Sequence, residues 1–399
     1  MTALDTNSQV FNKNESIRSD KRLPNFLIYS IQGWTDMWVS KHWIAAALAE
    51  HGNVYFVEPY RGAFLRGRGA KLKDFFNGPR FRMESKVNVV TMTSPPGYYS
   101  GPGWYRALSR GLMKAQTSRL RRKLGGGPTY VLTFDYRSEP LIRELGSVER
   151  VLYYAIDIIS SHKNDPWWPE SSLIRTADAV LTTSQRHKDR LINSFGRQDI
   201  EVVPHGVDFI NAAKVSPQQP IESKNKKNVI GYTGSIHDTY VNFDVIRTVA
   251  TQKPDWEFVF IGPVNRNALS VGASERIQQI ASLPNVKFLG AKPYQELPGY
   301  ISSFDVCIMP YALTVDNEPF KTLNYFAQGK PVVAADVPGV SEYQHLLYTY
   351  RTAEEMIIGV EKALAESTDF PLKAERIEFA RQRDFSQVGR KLMQLFGLA

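Results

Sequence analysis

The chain has 399 residues, a length that suits two domains of roughly 150–200 residues better than one. Hydrophobic residues make up 43% of it, which is ample for packed cores, but no apolar run approaches the ~18 residues of a membrane-spanning helix. The net charge is +9, and two segments of the first third, 61–82 and 106–123, together hold fourteen basic residues and one acidic residue.

The chain begins with a polar stretch, 1–22, which lacks the apolar core of a secretory signal and is interpreted as a disordered leader. The single cysteine, Cys307, sits in the apolar run VCIMPY, so we expect it to be buried. One cysteine excludes an intrachain disulfide framework, and a cytoplasmic location follows as the default.

Short β-rich apolar runs alternate with longer helical patterns along the chain, which is typical of parallel sheets covered by helices. In the first half, the runs predict strands at 25–31, 53–59, 87–92, 130–135, 151–157 and 179–184. In the second half, they predict strands at 229–234, 257–262, 286–290, 306–311 and 331–336.

A polar, proline-bearing stretch at the centre of the chain separates the two sets of strands. We predict an α/β protein with an N-terminal Rossmann-like domain at 23–208, a linker at 209–228 and a C-terminal Rossmann-like domain at 229–374. A helix at 375–399 is available to pack back on the first domain. Parallel sheets bind ligands at the carboxyl ends of their strands, so the two sheets are expected to face a shared cleft.

The first candidate site is VIGYTGSIHD, where a predicted strand ends at Gly234 and a helix follows within several residues. Glycine lets the backbone approach a ligand, and Ser235 together with the free N–H groups of such a turn can hold a phosphate. The match to G-x-G-x-x-G is poor and does not favour a dinucleotide. A tight strand–helix turn without a ligand is the alternative.

The second candidate site is CIMPYALTVDNEPFKTLNYFAQGKPVVAAD, which predicts a helix over 319–328 with Gly329 at its C-terminal stop. Lys321, in the first turn, is placed to neutralise a diphosphate. Asn324 lies three residues further on the same face and is placed to hydrogen-bond a ribose or a base. The alternative is a solvated helix start with incidental charge.

The order of these motifs resembles the donor domain of the GT-B glycosyltransferases: G-Y-T-G-S-I, then F-L-G-A-K-P-Y-Q-E-L-P-G-Y, then N-E-P-F-K-T-L-N-Y-F-A-Q-G-K-P-V-V. V-V-P-H-G-V-D at 202–208 is similar to the family's V-P-x-G-V-D segment. Y-S-I-Q-G-W and V-Y-F-V-E-P in the N-terminal half are similar to bacterial exopolysaccharide and cell-surface polymer transferases. The resemblance implies the GT-B fold and sugar transfer from a nucleotide sugar, expected to be UDP-linked, in surface polysaccharide assembly.

The resemblance also bears on the stereochemistry. Many retaining members carry two glutamates separated by seven residues; this sequence has Glu318, but alignment on G-K-P-V-V places Asn324 at the second, ribose-binding position. F-K-T-L-N-Y-F-A-Q-G looks closer to the membrane-associated, inverting glucuronosyltransferase of xanthan-type assembly, which implies a hexosyl- or glucuronosyltransferase. The donor-binding residues implied in this way are Gly234, Ser235, Ala291, Lys292, Tyr311, Asn317, Glu318, Phe320, Lys321, Asn324 and His205. Hinge packing is an equal interpretation for His205.

An inverting transfer needs a base for the acceptor hydroxyl, and Asp157 is the candidate. It ends the apolar run VLYYAID, so it is expected at the cleft-facing end of a strand, as the same resemblance implies. A structural aspartate at a helix start is the alternative. Asp135 is the main rival base, and Asp36 and His42 are weaker ones.

No metal site is expected, since HExxH, Cys/His clusters and DxD are not evident and the histidines lack partners at ligand spacings. The resemblance implies a metal-independent transfer in which helix dipoles and basic side chains offset the leaving-group charge. No cofactor is expected besides the donor.

The basic segments point to the acceptor. WYRALSRGLMKAQTSRLRRKLG at 104–125 predicts a cationic amphipathic helix, which suits an anionic membrane surface, as does segment 61–82. A polyprenyl-diphosphate-linked saccharide would explain both segments, with the protein peripheral to the inner face of the cell membrane. A solvated charged face is the alternative, and nucleic acid is not expected. The predicted acceptor and membrane residues are Trp34, Arg66, Arg68, Lys71, Lys73, Trp104, Arg110, Lys114, Arg121 and Arg122.

Three other functions are compatible with this architecture. A retaining transferase would use the same fold with a different reaction face. A UDP-sugar 2-epimerase would need further carboxylates and cations around the donor sugar. A non-catalytic nucleotide-sugar-binding protein would keep the fold without the base.

Overall fold

The computed structural model describes residues 23–35, 38–59, 61–62, 78–95, 102–156, 170–215, 221, 228–264, 269–315, 318–366 and 371–398. Several predictions fall outside these ranges: the leader 1–22, the base Asp157, Asn317, and four cations of the first basic segment, Arg66, Arg68, Lys71 and Lys73.

The N-terminal domain is built on an eight-stranded sheet and a separate pair of short strands. Its strands are β1 (Asn25–Tyr29), β2 (Asn53–Val57), β3 (Arg61–Gly62), β4 (Arg80–Glu84), β5 (Val87–Thr91), β6 (Thr93–Ser94), β7 (Thr129–Thr133), β8 (Arg150–Ala155), β9 (Ala179–Thr182) and β10 (Ile200–Val202). The large sheet has the order β10–β9–β8–β7–β1–β2–β5–β4, parallel except for β4 against β5. Its helices are α1 (Ser40–Leu48), α2 (Gly103–Arg121), α3 (Glu139–Glu144), α4 (Glu170–Thr176) and α5 (Gln185–Phe195).

The C-terminal domain is built on a six-stranded, fully parallel sheet. Its strands are β11 (Asn228–Thr233), β12 (Trp256–Ile261), β13 (Val286–Phe288), β14 (Val306–Met309), β15 (Val332–Ala335) and β16 (Tyr348–Tyr350). Their order is β13–β12–β11–β14–β15–β16. The remaining helices are α6 (Phe209–Ala212), α7 (Phe243–Gln252), α8 (Ala273–Ala281), α9 (Leu297–Ser302), α10 (Thr322–Phe326), α11 (Ala353–Leu364), α12 (Pro371–Arg381) and α13 (Phe385–Phe396).

The central strands are apolar on both faces because both faces of each sheet are covered. In β1, Leu27 and Tyr29 enter a core shared with α2 to α5, whereas Phe26 and Ile28 enter a second core on the opposite face, with α1 and α13. Strands buried in this way appear in the sequence as continuous apolar runs rather than as alternating ones. Cys307, at the centre of β14, is fully buried as predicted.

All eleven predicted strands are present, which confirms the α/β fold class. The sequence did not predict the separate pair of short strands, β3 and β6. It also did not predict β4, β10 and β16, each of which lies at the edge of a large sheet. An edge strand has a partner on one side only, and these three are partly exposed, so their sequences RFRME, IEV and YTY are not continuous apolar runs.

Two helix predictions and the predicted linker need correction. The helix expected over 319–328 is α10, which begins at Thr322; a turn precedes it, in which the Thr322 N–H donates to the carbonyl of Pro319 at 3.1 Å. The helix expected at 375–399 is divided into α12 and α13. The predicted linker 209–228 begins with α6.

The two C-terminal helices belong to different domains. α12 packs against α10 in the C-terminal domain. α13 crosses back to the N-terminal domain, where Val388, Leu392 and Phe396 join the same core as Phe26. A Cβ on Gly206 would collide with the ring of Phe385, so the chain crossing and the start of α13 are in close contact. The C-terminal segment therefore ties the two domains together.

Candidate functional site

A cleft of about 630 Å³ lies between the carboxyl ends of the two sheets. On one side, it is lined by residues that follow β1, β8 and β9. On the other side, it is lined by residues that follow β11 and β14 and by the turn before α10. The order of strands reverses direction between β1 and β7 in one sheet and between β11 and β14 in the other. These switch points are where open α/β sheets bind ligands.

The floor of the C-terminal wall is the glycine turn after β11. Gly234 has a φ of +142°, a conformation that L side chains rarely adopt, and its N–H donates to the carbonyl of Ile261 at 2.8 Å. A Cβ at Gly234 would collide with Nζ of Lys321, so the lysine ammonium lies directly against the turn. The absence of a side chain at this position therefore makes room for a cation beside the backbone.

Aromatic side chains hold Lys321 in place. Its Nζ donates to the hydroxyl of Tyr232 at 3.0 Å. It lies 4.8 Å from the ring centroid of Tyr232 and 5.3 Å from that of Tyr311. Such cation–π contacts orient the ammonium without neutralising it, because the rings carry no net charge. The ammonium can therefore offset the charge of an anionic ligand on the turn.

Glu318, just before the turn into α10, is a carboxyl group with an unusual environment. Its Oε2 is buried and has no hydrogen-bond partner among the described residues. Burial, reinforced by the nearby carboxylate of Glu342, raises the pKa of Glu318 to about 8, and Arg383 only partly opposes this. At neutral pH this carboxyl group is therefore mostly protonated and can act as a hydrogen-bond donor.

His237 also lines the cleft, at the end of the glycine turn. Its Nδ1 is buried without a hydrogen-bond partner in the described part of the chain. Burial and the positive charge of Lys321 lower the pKa of His237, so the imidazole is neutral at physiological pH. The sequence analysis did not assign His237 to the site. The feature that could have identified it is its position three residues after Gly234.

The remaining donor-side residues lie around this centre. Asn324 of α10 accepts a long hydrogen bond of 3.5 Å from the hydroxyl of Tyr294. Phe320 is 43% exposed, and its ring centroid lies 5.7 Å from that of His205 in the chain crossing. Tyr294 in turn contacts Trp43 of the N-terminal domain, with ring centroids 5.5 Å apart. These contacts bring the helix α10 side of the cleft against the opposite domain.

The structure thus brings together most of the predicted donor residues. Those that line the cleft are Gly234, Ser235, Tyr311, Glu318, Phe320, Lys321, Asn324 and His205. Ala291 and Lys292 lie in the loop after β13 but are not among the residues that line the cleft, and Nζ of Lys292 lies over the ring of Tyr300.

The base candidates differ in their surroundings. Ile156, the residue before Asp157, lines the cleft. The rival Asp135 is buried, accepts from Nε of Arg137 at 2.7 Å and caps the following turn. His42 accepts from the N–H of Val39 and donates to the carbonyl of Gly33, so both of its ring nitrogens hold the loop that follows β1. Asp135 and His42 therefore have structural roles.

The predicted acceptor and membrane residues divide into two groups. Trp34 is partly buried and packs against the N-terminal core, between Trp38 and Phe56. α2 presents Trp104, Leu108 and Leu112 to the outside, with exposures of 73%, 59% and 39%. The cations Arg110, Lys114 and Arg121 lie on the same helix, Arg122 follows it, and Lys114 pairs with Glu144 at 2.6 Å.

Within the described ranges, no helix combines the length and apolar character needed to cross a bilayer. Nor do the described residues contain a group of three His, Cys, Asp or Glu side chains placed to hold a metal ion.

Solved structures identify the class to which this architecture belongs. HepE of Anabaena, in complex with UDP and glucose, superposes with a TM-score of 0.65 at 15% identity, over 94% of this chain and 99% of HepE. Sucrose-phosphate synthase of Thermosynechococcus elongatus superposes with a TM-score of 0.67 at 16% identity, over 94% of this chain and 98% of the synthase. The fold is that of the GT-B glycosyltransferases.

The sequence comparisons point to the same class. Residues 227–366, the C-terminal domain, match the family Glycosyl transferases group 1. TuaH of Bacillus subtilis, whose name provisionally assigns it to teichuronic acid biosynthesis as a glycosyltransferase, is 29% identical over 297 residues. That alignment covers 68% of this chain and 73% of TuaH.

Proposed function

We propose that this protein transfers a sugar from a nucleotide sugar, expected to be UDP-linked, to a saccharide acceptor during the biosynthesis of a surface polysaccharide. The observation that carries the proposal is the Lys321 ammonium against the Gly234 turn, at the switch point of the C-terminal sheet. The N–H groups of this turn and the lysine together suit a diphosphate. The UDP in the HepE structure and the name of TuaH support the donor and the type of product.

The proposed reaction forms a bond between the acceptor hydroxyl oxygen and the anomeric carbon. The bond from that carbon to the β-phosphate oxygen breaks, UDP leaves with the bonding electrons, and the hydroxyl proton passes to a base. Lys321 and the turn offset the negative charge that develops on the departing diphosphate. In this proposal they take the role that a metal ion has in other transferases.

We assign the base to Asp157, with inversion at the anomeric carbon, as the xanthan-type resemblance implies. The support is its position at the end of the β8 run, directly after Ile156 of the cleft wall. Asp135, by contrast, is already engaged by the guanidinium of Arg137. Retention is the alternative, and the anomeric configuration of the product distinguishes the two.

Three side chains are assigned to the donor. The protonated Glu318 donates to a hydroxyl of the transferred sugar, which avoids placing a second negative charge beside the diphosphate. Asn324 and Phe320 flank the nucleoside. Asn324 stands where retaining members of the family have a ribose-binding glutamate. Its amide can hydrogen-bond the ribose but carries no charge, so the nucleoside end of this site is also neutral.

The acceptor is proposed to be linked to a polyprenyl diphosphate, with the protein bound peripherally at the inner face of the cell membrane. The support is α2, whose exposed Trp104, Leu108 and Leu112 recur every fourth residue and therefore form one stripe. The helix also carries Arg110, Lys114 and Arg121, on a different face from the apolar stripe. Apolar area combined with positive charge is what binds a helix to an anionic lipid surface.

Calorimetric titration of UDP tests the donor site. We expect Lys321→Met to weaken UDP binding at least tenfold, because it removes a charge-assisted contact to the diphosphate, whereas Lys362→Met on exposed α11 leaves it unchanged. An intact protein that does not bind UDP or any UDP-sugar would refute the proposal.

The base is tested with Asp157→Asn, assayed with the best donor and a membrane extract. The variant should lose turnover but keep its affinity for UDP. Normal turnover would eliminate Asp157 as the base.

A further inference from the structure

The two walls of the cleft differ in charge. Among the described residues that line it, the N-terminal domain supplies three cations, Lys41, Arg186 and Arg190, and no carboxylate. Both lining carboxylates, Glu318 and Glu342, belong to the C-terminal domain. The donor diphosphate is matched on the C-terminal wall by Lys321 and the glycine turn. The three cations of the opposite wall lie outside this donor set, on the side of the cleft proposed for the acceptor.

The three cations come from two helices that line the same side of the cleft. Arg186 and Arg190 are four residues apart on α5 and so share one face of that helix. Lys41, in the first turn of α1, is only 4% exposed; its Nζ contacts Oε1 of Gln32 at 3.4 Å and lies 5.7 Å from the ring centroid of Phe134. A buried ammonium at a helix N-terminus is unfavourable, because burial and the helix dipole both oppose its charge. Such an ammonium favours anionic groups in its surroundings.

A carboxylate already occupies this wall. The backbone N–H at Gln185, the first residue of α5, donates to Oε1 of Glu342 at 2.8 Å. Glu342 comes from the 3-10 segment Pro338–Leu346 of the C-terminal domain and so reaches across the cleft. The N-terminal end of α5 therefore binds a carboxylate in this structure, beside the two arginines of the same helix.

We propose that Lys41, Arg186 and Arg190 form an anion subsite for the acceptor, and that Glu342 fills its α5 end until the acceptor binds. The acceptor would carry phosphate or carboxylate oxygens close to the hydroxyl that receives the sugar. Guanidinium groups bind both kinds of oxygen through paired hydrogen bonds. This inference rests on the proposed function, because it assigns the second substrate of the same cleft.

The test measures anion binding to protein saturated with UDP, so that the donor site is filled. Inorganic pyrophosphate and glucuronate are titrated separately at low ionic strength, which distinguishes a carrier phosphate from an acidic sugar. We expect at least one of them to bind, and Arg186→Gln combined with Arg190→Gln to weaken that binding tenfold or more. Glu342→Gln should strengthen it severalfold, since the internal carboxylate no longer competes. Arg143→Gln combined with Arg175→Gln removes the same charge outside the cleft and should change little.

The outcomes separate this inference from the donor proposal. UDP affinity within about twofold of wild type shows that the arginine variant is folded and that the donor site is intact. The inference is overturned if neither anion binds the UDP-saturated protein, or if the arginine variant binds it as wild type does. It is also overturned if that variant loses UDP affinity to the same degree, since the arginines would then serve the donor. Failure of wild type to bind UDP refutes the proposed function itself.

Discussion

Glu318 shows how environment changes the chemistry of a residue whose position the sequence located. The sequence indicates a donor contact for this glutamate, but only the structure shows a buried oxygen close to a second carboxylate. Both features disfavour the ionised form. The residue that the motif presents as an anion is therefore a neutral hydrogen-bond donor at neutral pH, which suits the proposed binding of a negatively charged nucleotide.

The raised pKa of Glu318 predicts a pH-dependent stability. Below the ordinary pKa of 4.5 the group is protonated in both the folded and the unfolded chain. Between that value and about 8 the folded protein holds a proton that the unfolded chain has lost, so the free energy of unfolding decreases as pH rises. The glutamine of the Glu318→Gln variant cannot ionise, so its free energy of unfolding should not decrease for this reason as pH rises.

The measurement is the melting temperature of wild type and Glu318→Gln from pH 5 to pH 9. The melting temperature of the variant should rise relative to that of wild type as pH increases, and the difference should then become constant. The expected difference is about 2–4 °C for each kcal/mol of ionisation penalty that the substitution removes. Glu275→Gln, on the exposed face of α8, controls for the loss of a surface charge. A constant difference across the whole range would show that Glu318 is ionised in the folded protein.

At the scale of elements, the C-terminal domain depends on a buried ion pair that no local pattern reveals. Arg376 of α12 is fully buried and binds Glu366, just beyond α11, through two hydrogen bonds of 2.6 and 2.7 Å. Its Nε also donates to the carbonyl of Leu346 at 2.8 Å. One side chain therefore joins three segments, and removal of the arginine would leave the Glu366 carboxylate without its counter-ion in a buried position.

Arg376→Ala should lower the free energy of unfolding by about 3–5 kcal/mol, the usual cost of an uncompensated buried charge. Urea unfolding followed by circular dichroism measures it. Arg351→Ala is the matched control, because its ion pair with Asp336 has an arginine that is 70% exposed, and exposed pairs contribute below about 1 kcal/mol. Equal effects of the two substitutions would show that the pair between α12 and α11 is not buried in solution.

At the scale of the whole molecule, the two domains have different surfaces. The C-terminal domain carries the Gly234 turn, whereas α2 of the N-terminal domain displays the apolar stripe of Trp104, Leu108 and Leu112. A peripheral enzyme with a lipid-linked acceptor needs the acceptor domain, not the donor domain, at the membrane. The presence of α2 in the N-terminal domain agrees with that requirement, and the cleft would then meet its acceptor at the lipid surface.

Replacement of Trp104, Leu108 and Leu112 by serine should abolish binding to anionic vesicles at low salt, because the inserted apolar area is lost while the charge remains. Vesicle flotation measures this. Ile358→Ser, at a residue that is 51% exposed on α11 of the other domain, is the control and should float as wild type does. Flotation of the triple variant, or no flotation of wild type, would contradict a membrane role for α2.

The sequence by itself determined the two-domain α/β fold, since strands covered on both faces must be continuous apolar runs. It also predicted that Gly234 follows a strand and that Lys321 and Asn324 lie near the start of a helix, because strand ends and helix starts are local features. The sequence did not predict edge strands such as β4, because a strand that pairs on one side only is partly polar. Motif order added the fold family.

The tertiary structure decided what depends on contacts between distant parts of the chain. Lys321 meets Tyr232 across 89 positions of sequence, and Glu342 meets Gln185 across 157. Neither contact leaves a periodic or local signal, and the pKa of Glu318 depends on burial that no neighbouring residue specifies. The charge of each cleft wall depends on which side chains the two facing sheets bring to the cleft. The proposed acceptor subsite therefore depends on the tertiary structure.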